Sequence, residues 1–524
     1  MKLYTNTDLS LIKNNIKDIN KQIRTVMMNN FHPNCTEREQ IFSIILDYIK
    51  DNNRKIYGGY ALNELIKLKN ENDMIYDIEE LPDIDFYSYD PNTDIINICN
   101  KIHESGFIKV NGREAKHKNT YSVYVNYELF CDITYVPKYI YDKIPFKLIN
   151  NIKYTNSQFM IIDYLKILSD PLCSNWRIEK TYERLILLNK YYPIYENKES
   201  IIINPIDNQD KLDKCIELIY DLIKNKNDII VIGFYVYNYF LIKSKYNKFD
   251  LVDIPYIELI SKNYRNDFNN IYNKLKETFS DLNISYKEYY PFFMYNGYNV
   301  EIYVDGELIL IIYDYDNRCL PYQKVSFIDY NKNIEYSDIK INIGSFNLIL
   351  LYAQINVFKN HIFKNNNMKI IYEKYVSHII IIREYYFRRN KFNLLDNTIF
   401  RDFIIDCIYP DFNPEHENLI RYEKRKENNK PSMYIYDPNK NKKNEKANNF
   451  YFSNISGNEI KNIKHSKLFN TQNDNSDNFD DDVDNVDDVD DDVDDDDVDD
   501  DNVDDDNVDD VDVDDDDVVD VVDV

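Results

Sequence analysis

The residues best suited to chemistry are three aspartates that interrupt apolar stretches. Asp83 and Asp85 lie two positions apart in LPDIDFYS, and Asp132 stands in YELFCDITYVP between Cys131 and Ile133. Side chains two positions apart on a strand project from the same face, so Asp83 and Asp85 are expected to share one face. Ionised carboxylates in apolar strands are costly unless a cation neutralises them. The three acids therefore predict a divalent metal site with oxygen ligands, which favours Mg²⁺ or Mn²⁺.

A glycine pair that precedes the aspartates predicts a phosphate-binding turn. KIYGGYALNELIK indicates a short strand over residues 55–57, a turn at Gly58 and Gly59, and a helix that opens at Tyr60. Backbone N–H groups at a strand-to-helix turn point at an anion and would hold a phosphate. A glycine pair alone is usually only a turn, and an Asp-x-Asp pair alone is often structural. Their order along the chain favours a nucleotide site.

These stretches together resemble the nucleotidyltransferase superfamily of DNA polymerase β, whose signature is a glycine turn, an Asp-x-Asp pair and a later third Asp. The sequences GGYALNELIK, PDIDFYS and FCDITYVP resemble those of the poly(A) polymerase catalytic subunits of nucleocytoplasmic large DNA viruses. The resemblance is to the mimivirus type and, more distantly, to the poxvirus type. The spacing from Gly59 to Asp83 is longer than the superfamily usually shows. It predicts an additional helical turn or loop around residues 67–80.

The resemblance implies a polymerase β-like α+β (mixed α/β) fold and template-independent transfer of adenylates from ATP to the 3′ end of mRNA. It implies two ions, with Asp83 and Asp85 bridging both and Asp132 at the ion that binds the attacking hydroxyl. Gly58 and Gly59 would hold the triphosphate. Relatives act as homodimers or with a separate viral processivity subunit. The implied location is the viral factory in the host cytoplasm, with packaging into the virion left open.

The residues themselves leave the reaction open. A terminal uridylyltransferase, a CCA-adding enzyme or a small-molecule nucleotidyltransferase would use the same acids. Chain length and a basic, aromatic C-terminal region argue against the last of these. The non-enzymatic alternative is an RNA-binding processivity subunit, and the intact acids argue against it.

A cationic stripe follows the third aspartate. The helix predicted over residues 176–191 carries Arg177, Lys180 and Arg184 at spacings that place them on one face. The family resemblance extends through NWRIEKTYER, so Arg177 and Lys180 are candidate ligands of the triphosphate or the RNA backbone. The alternative is a solvated helix face on which Glu179 and Glu183 balance the charge.

The chain also contains an internal repeat. VIGFYVYNYFLI (231–242) matches IYGGYALNELIK, IPYIELIS (254–261) matches LPDIDFYS, and GELILII (306–312) matches YELFCDI. The chemistry is lost from this copy, because the positions of Gly59, Asp83, Asp85 and Asp132 are taken by Phe234, Tyr256, Glu258 and Ile311. One carboxylate cannot hold two cations. The repeat predicts a second, degenerate nucleotidyltransferase-like domain that serves the RNA path or a subunit contact.

Charge is distributed unevenly. Residues 474–524 hold 30 Asp and no Lys or Arg, so the formal charge of −28 leaves a nearly neutral body with 63 basic and 61 acidic residues. Attraction to RNA must then come from local basic surfaces. One candidate is the segment 421–467, where Lys and Arg are mixed with aromatic residues. The Asp/Val tail has no core-forming diversity and is predicted to be disordered.

The remaining signals concern compartment and domain organisation. Seven scattered cysteines without a C-x-x-C pair predict a reduced intracellular protein without a zinc site, and apolar runs are too short for a membrane span. Five segments are predicted: N-terminal helices (1–50), which pack on the back of the catalytic sheet, a catalytic domain (51–198), a degenerate domain (199–345), a helical and basic region (346–472) and the tail (473–524).

Overall fold

The computed structural model describes most of the chain before the acidic tail. Described are residues 4–30, 35–76, 81–116, 119–203, 209–292, 296–413, 416–429, 431, 433–440, 459–460 and 466–469. The tail predicted to be disordered lies outside the described residues, as do Phe450, Tyr451 and Phe452 of the basic, aromatic segment. Within the described ranges, no helix is long and apolar enough to cross a membrane.

The first sheet contains the three aspartates. Its strands are β1 (Lys55–Tyr57), β2 (Ile84–Ser88), β3 (Val110–Glu114), β4 (Thr120–Val125), β5 (Glu128–Tyr135), β6 (Phe146–Ile149) and β7 (Ile152–Thr155). They lie in the order β3-β4-β5-β2-β1-β7-β6, and β16 (Ile435–Tyr436) extends the β3 edge. β2 pairs with β5 and β1 with β7 in parallel, and the other pairs are antiparallel.

Helices precede and surround this sheet. They are α1 (Asn6–Asn30), α2 (Cys35–Asp51), α3 (Gly58–Lys67), α4 (Pro91–Glu104), α5 (Lys138–Tyr141), α6 (Ser157–Leu168), α7 (Pro171–Ser174) and α8 (Ile178–Tyr191). A 3-10 helix at Glu71–Asp73 lies in the long connection between α3 and β2, where an additional turn was predicted.

Period-two alternation gives the sheet one apolar face and one face that carries the acids. Ile84, Phe86 and Ile133 are fully buried on the first face. A Cβ added to Gly112 on that face would contact Ile95 of α4, which identifies the covering helix. The residues between them along β2 and β5 must point to the opposite face, and Asp85 is one of these.

α2 packs as expected, but α1 does not. The apolar residues of α2 at positions 41, 45 and 49 are fully buried. Ile12 and Ile23 of α1 are instead 49% and 52% exposed, so the prediction that both helices pack on the back of the sheet is wrong for α1. Amphipathic spacing predicts a helix but not its partner.

The second sheet repeats the first. Its strands are β8 (Ile229–Ile232), β9 (Ile257–Ser261), β10 (Ile284–Tyr289), β11 (Asn299–Val304), β12 (Glu307–Asp314), β13 (Leu320–Asp329), β14 (Ile334–Gly344) and β15 (Cys407–Ile408). The order is β10-β11-β12-β9-β8-β14-β13-β15, with parallel pairs at β9/β12 and β8/β14. This is the strand order of the first sheet, so the predicted internal repeat is present.

The second sheet has its own helices. They are α9 (Gln209–Ile223), α10 (Phe234–Ser244), α11 (Tyr264–Thr278), α12 (Phe346–Ile362), α13 (Asn366–Asn390) and α14 (Glu417–Glu427). α12 is apolar on nearly all sides because it lies between α13 and α6, where Phe358 meets Phe159 edge-on at 5.0 Å between ring centroids. α12 therefore joins the cores of the two sheets.

Cys319 and Cys407 form a disulfide, so the prediction of a fully reduced chain is wrong at this pair. Antiparallel pairing of β13 with β15 brings the two Cα atoms to 5.6 Å, within the range that a disulfide needs. The two residues are 88 positions apart, and their spacing gave no sign of this contact.

Candidate active site

Strand register brings the three aspartates together. β2 and β5 are parallel neighbours in which Asp85 is directly opposite Asp132, so both side chains lie on one face. Asp83 immediately precedes β2 and is exposed. One carboxylate oxygen of each residue lies within 4.8 Å of the others. The site consists only of oxygen donors, which suits a hard divalent cation completed by phosphate oxygens.

Close approach of the acids changes their proton affinity. Burial raises the pKa of Asp85 well above its usual value, and the charges of Asp83 and Asp132 raise it further. Burial also raises the pKa of Asp132 to about 6, although a hydrogen bond from the Ser122 hydroxyl opposes this. Negative charges held this close in a poorly solvated place are stable only when a cation compensates them. The donor set therefore fits divalent metal ions.

Gly58 lets the chain pass directly over Asp85. Its φ of +74° is a conformation that L residues with side chains rarely adopt. A Cβ at this position would lie 3.2 Å from Cγ of Asp85 and closer still to Oδ2. The helix α3 begins at Gly58, two residues before the predicted start at Tyr60, so both glycines belong to its first turn. The first turn of α3 therefore lies directly against Asp85.

The cationic stripe faces the acids, with Lys180 and Arg184 on α8 and Arg177 in the 3-10 helix Asn175–Arg177 directly before it, so α8 begins two residues later than predicted. Arg177 lowers the pKa of both Asp85 and Asp132, and Arg184 lowers that of Asp85. Loss of solvent lowers the pKa of Lys180, as do the two arginines, while Asp83 and Asp85 raise it. These charges act across the same cleft.

The acids of α8 have other partners. Glu179 and Glu183 form ion pairs with Lys17 of α1, at 3.4 and 3.2 Å. These ion pairs connect α8 to α1. Arg184 donates a hydrogen bond of 2.9 Å to the Tyr76 hydroxyl, which orients its guanidinium.

Sequence reasoning missed Ser122. It lies on β4 opposite Asp132, and its hydroxyl donates a hydrogen bond to that carboxylate. The turn at Asn126 and Tyr127, both with positive φ, makes β4 and β5 a hairpin. Counting back across that hairpin from Asp132 would have reached Ser122 only if the bulge between Val123 and Tyr124 had been known.

The corresponding place in the second sheet is filled. Glu258 lies opposite Ile311, as Asp85 lies opposite Asp132, and beneath Gly233, whose φ is +67°. The Tyr372 hydroxyl donates to Glu258 at 2.8 Å and the Asn356 amide at 3.2 Å. Burial raises the pKa of Glu258. Side chains of α12 and α13 thus hydrogen-bond to the acid at the position that Asp85 has in the first sheet.

The first sheet, with its triad beside a glycine turn, defines this molecule as a nucleotidyltransferase with a second, degenerate copy of the same unit.

Comparisons with known proteins indicate which family of nucleotidyltransferases the chain resembles. The family profile described as "Poly(A) polymerase catalytic subunit" matches residues 43–174. The profile described as "APMV, Putative poly(A) polymerase, catalytic subunit, C-terminal" matches residues 186–470. Acanthamoeba polyphaga mimivirus has a "Putative poly(A) polymerase catalytic subunit" that is 31% identical over 455 residues, 83% of this chain and 78% of that protein.

A more distant relative and a solved structure support the same family. A "Putative poly(A) polymerase catalytic subunit" of African swine fever virus (isolate Pig/Kenya/KEN-50/1950) is 28% identical over 184 residues, which cover 32% of this chain and 37% of that protein. The crystal structure of the Megavirus polyadenylate synthase superposes with a TM-score of 0.79 at 31% identity, covering 89% of this chain and 94% of the other. The chain belongs to the poly(A) polymerase catalytic subunit family, and its activity is polyadenylate synthesis.

Proposed function

We propose that the chain adds adenylates from ATP to the 3′ end of viral mRNA without a template, and that Asp83, Asp85 and Asp132 form its metal-binding site. The observation that carries this proposal is the register of β2 and β5, which puts two acids side by side next to the third. Gly58 also lies so close to the Asp85 carboxylate that a side chain would not fit there. Acids that are merely solvated on a surface would not need such a close approach of the backbone.

The proposed reaction is an in-line displacement. The terminal 3′-hydroxyl oxygen attacks the α-phosphorus, the bond from that phosphorus to the bridging oxygen breaks, pyrophosphate leaves, and the hydroxyl proton passes to solvent. Two Mg²⁺ or Mn²⁺ ions held by the triad would lower the pKa of the hydroxyl and neutralise charge on the phosphates. Asp83 and Asp85 are assigned to both ions, and Asp132 to the one on the side of the attacking hydroxyl.

Other groups of the cleft bind and orient the substrate. The helix α3 begins at Gly58, and the N–H groups of Gly58 and Gly59 would hold the triphosphate. Arg177 and Lys180, which act electrostatically on the triad, supply positive charge beside it. Ser122 holds the Asp132 carboxylate in a fixed orientation through its hydrogen bond. Preorganised charge of this kind is the main catalytic contribution open to a protein in phosphoryl transfer.

The nucleotide is assigned from the family. A uridylyl- or CCA-adding enzyme would use the same triad, and a non-catalytic RNA-binding subunit would keep the fold without the reaction. Labelled RNA incubated with each nucleoside triphosphate in turn, with Mg²⁺ or Mn²⁺, separates these alternatives. We expect extension with ATP. Preferential use of UTP or CTP, or no extension at all, would contradict the proposal.

Replacement of the acids tests the site itself. Asp83→Asn and Asp132→Asn should abolish incorporation because an amide cannot supply the negative charge, and the thermal unfolding temperature should not fall. Glu258→Gln is the matched control, since it removes an acid from the corresponding place in the second sheet. Near wild-type incorporation by either Asp variant would refute the assignment.

Assembly is a further part of the proposal. We expect a homodimer, in keeping with the family, and α1 offers an exposed apolar surface for such a contact. Sedimentation of the purified chain measures its mass directly. A monomer that extends RNA only in short additions would instead favour a separate processivity subunit.

A further inference from the structure

The row of residues that contains the catalytic acids continues across the sheet. β5 pairs with β4 so that Asp132 is opposite Ser122, and β4 pairs with β3 so that Ser122 is opposite Arg113. Directly opposed residues project from the same face of a sheet. Arg113 therefore lies on the catalytic face, two strands from Asp132, or about 10 Å between Cα atoms.

Arg113 contacts an aromatic ring on this face. Its guanidinium lies over the Tyr124 ring, 3.9 Å from the centroid, and its side chain is exposed. Its cross-strand partners, Ser122 on β4 and Ile435 on β16, are uncharged. No carboxylate of the described residues forms an ion pair with Arg113. Stacking on Tyr124 leaves the guanidinium edge, with its N–H donors, free to bind an anion.

The second sheet has the same cation and ring, but with an acid on the neighbouring strand. Lys287 lies over the Tyr303 ring at 5.5 Å and occupies the position of Arg113. Its cross-strand partner is Glu301, where the first sheet has Ser122. Glu301 lies opposite Lys287 in the strand register, but its ion pair is with Lys359, at 3.5 Å. The first sheet therefore has a cation opposite an uncharged residue where the second sheet has a cation opposite an acid.

The order of these residues across the sheet indicates which substrate contacts Arg113. Gly58 and the start of α3 flank Asp85 on one side, where the triphosphate is proposed to bind, and Asp132 flanks it on the other. In-line displacement requires the leaving group and the attacking hydroxyl on opposite sides of the phosphorus. The RNA end must then approach over β4 and β3, which is where Arg113 and Tyr124 lie.

We propose that Arg113 and Tyr124 form the binding site for the 3′-terminal segment of the RNA. Arg113 binds a backbone phosphate just upstream of the terminal nucleotide, and the Tyr124 ring orients the guanidinium and offers a surface to a base. Arg113 is a positioning residue for the attacking hydroxyl. This inference rests on the proposed function and specifies the RNA subsite of the same active site.

The test compares Arg113→Ala with Lys287→Ala, the matched variant from the second sheet. We expect Arg113→Ala to raise the KM for RNA roughly tenfold or more, with the KM for ATP unchanged. The slope of log affinity for RNA against log salt should fall by about 0.7, the contribution of one phosphate contact on a single strand. Arg113→Lys should restore the salt slope but only part of the affinity, since Lys does not stack or bind two oxygens at once. Lys287→Ala should leave all of these values at wild type.

Two results would overturn the inference. One is an RNA affinity and salt slope for Arg113→Ala that equal those of Lys287→Ala. The other is an Arg113→Ala variant whose KM for ATP rises as much as its KM for RNA, which would indicate general damage to the sheet. RNA affinity is measured by fluorescence anisotropy without ATP. An inactive wild type would therefore refute the proposed function, while the binding comparison would still decide the role of Arg113.

Discussion

A single methyl group at Gly58 should disable catalysis while leaving the protein folded. In Gly58→Ala the new Cβ would lie 3.2 and 3.3 Å from Cγ and Cβ of Asp85, and nearer still to Oδ2. Ordinary contact needs about 3.5–4.0 Å between carbon atoms, so the Asp85 carboxylate must retreat by roughly 1 Å. The residue must also hold a φ of +74°, which costs a non-glycine residue about 1–2 kcal/mol.

The displacement, more than the strain, decides the effect on activity. A shift of about 1 Å in a catalytic group can lower the rate about 10²-fold, because the reacting atoms no longer meet in line. Asp85 lies between Tyr57 of β1 and Asp132 of β5, and its carboxylate is within 4.8 Å of both other acids. We therefore expect incorporation of labelled ATP into RNA to fall about 100-fold, with a small decrease in the unfolding temperature.

Two other glycines serve as matched controls. Gly233→Ala would bring its Cβ to 2.9 Å from Cδ of Glu258 at a φ of +67°, the same clash in the filled site of the second sheet. It should lower the unfolding temperature more than Gly58→Ala does, because buried Glu258 has no solvent to move into, yet the remaining folded protein should be active. Gly106→Ala has a φ of +103° and no atom within 4 Å of the new Cβ, so it measures backbone strain alone.

The assay measures extension of labelled RNA per folded molecule, beside thermal unfolding of each variant. The reasoning would be refuted by Gly58→Ala retaining activity within a few-fold of Gly106→Ala. It would equally be refuted if Gly233→Ala lost as much activity per folded molecule as Gly58→Ala, because the second site would then take part in the reaction.

Two further predictions concern pH. Burial raises the folded-state pKa of Glu258 above its ordinary 4.5, so its stabilising contribution is fully present below pH 4.5 and is lost as pH rises through the folded-state value. The unfolding temperature of Glu258→Gln should therefore rise relative to that of wild type as pH increases from 4.5. An unfolding temperature that tracks wild type at every pH would contradict this. His378 is fully buried, stacks on Phe249 at 3.6 Å, and has its pKa lowered from 6.5 to about 4 by burial. The stabilising contribution of His378 is therefore present above pH 6.5 and lost as pH falls toward 4. The unfolding temperature of His378→Gln should fall less than that of wild type between pH 6.5 and 4. An equal fall in both proteins would refute this prediction.

The two sheets have the same strand order, but one contains a three-acid site and the other a single buried carboxylate. Each has a glycine with positive φ over a carboxylate on the strand next to a parallel neighbour. In the first, the neighbour supplies Asp132, and the third acid, Asp83, is exposed to solvent. In the second, the neighbour supplies Ile311, and Tyr372 donates a hydrogen bond to the remaining acid. A single buried carboxylate is more stable neutral and hydrogen-bonded than charged, so this site became part of the core.

Sequence patterns were sufficient for the features that depend on neighbouring residues. The order of a glycine turn, an Asp-x-Asp pair and a third Asp indicated the class of enzyme, and the repeat indicated the second unit. Strand alternation predicted that Asp83 and Asp85 share a face. These signals work because side-chain direction along a strand depends on the backbone period, not on distant contacts.

Only the tertiary structure decided what lies beside these features. Three contacts depend on pairings between distant segments of the chain. They are the position of Arg113 two strands from Asp132, the hydrogen bond from Tyr372 to Glu258, and the disulfide between Cys319 and Cys407. The helix α1 shows the same limit, because its spacing specified an apolar face and no partner for it. Local propensity is set by each residue and its neighbours, whereas register and packing are set by the folded chain as a whole.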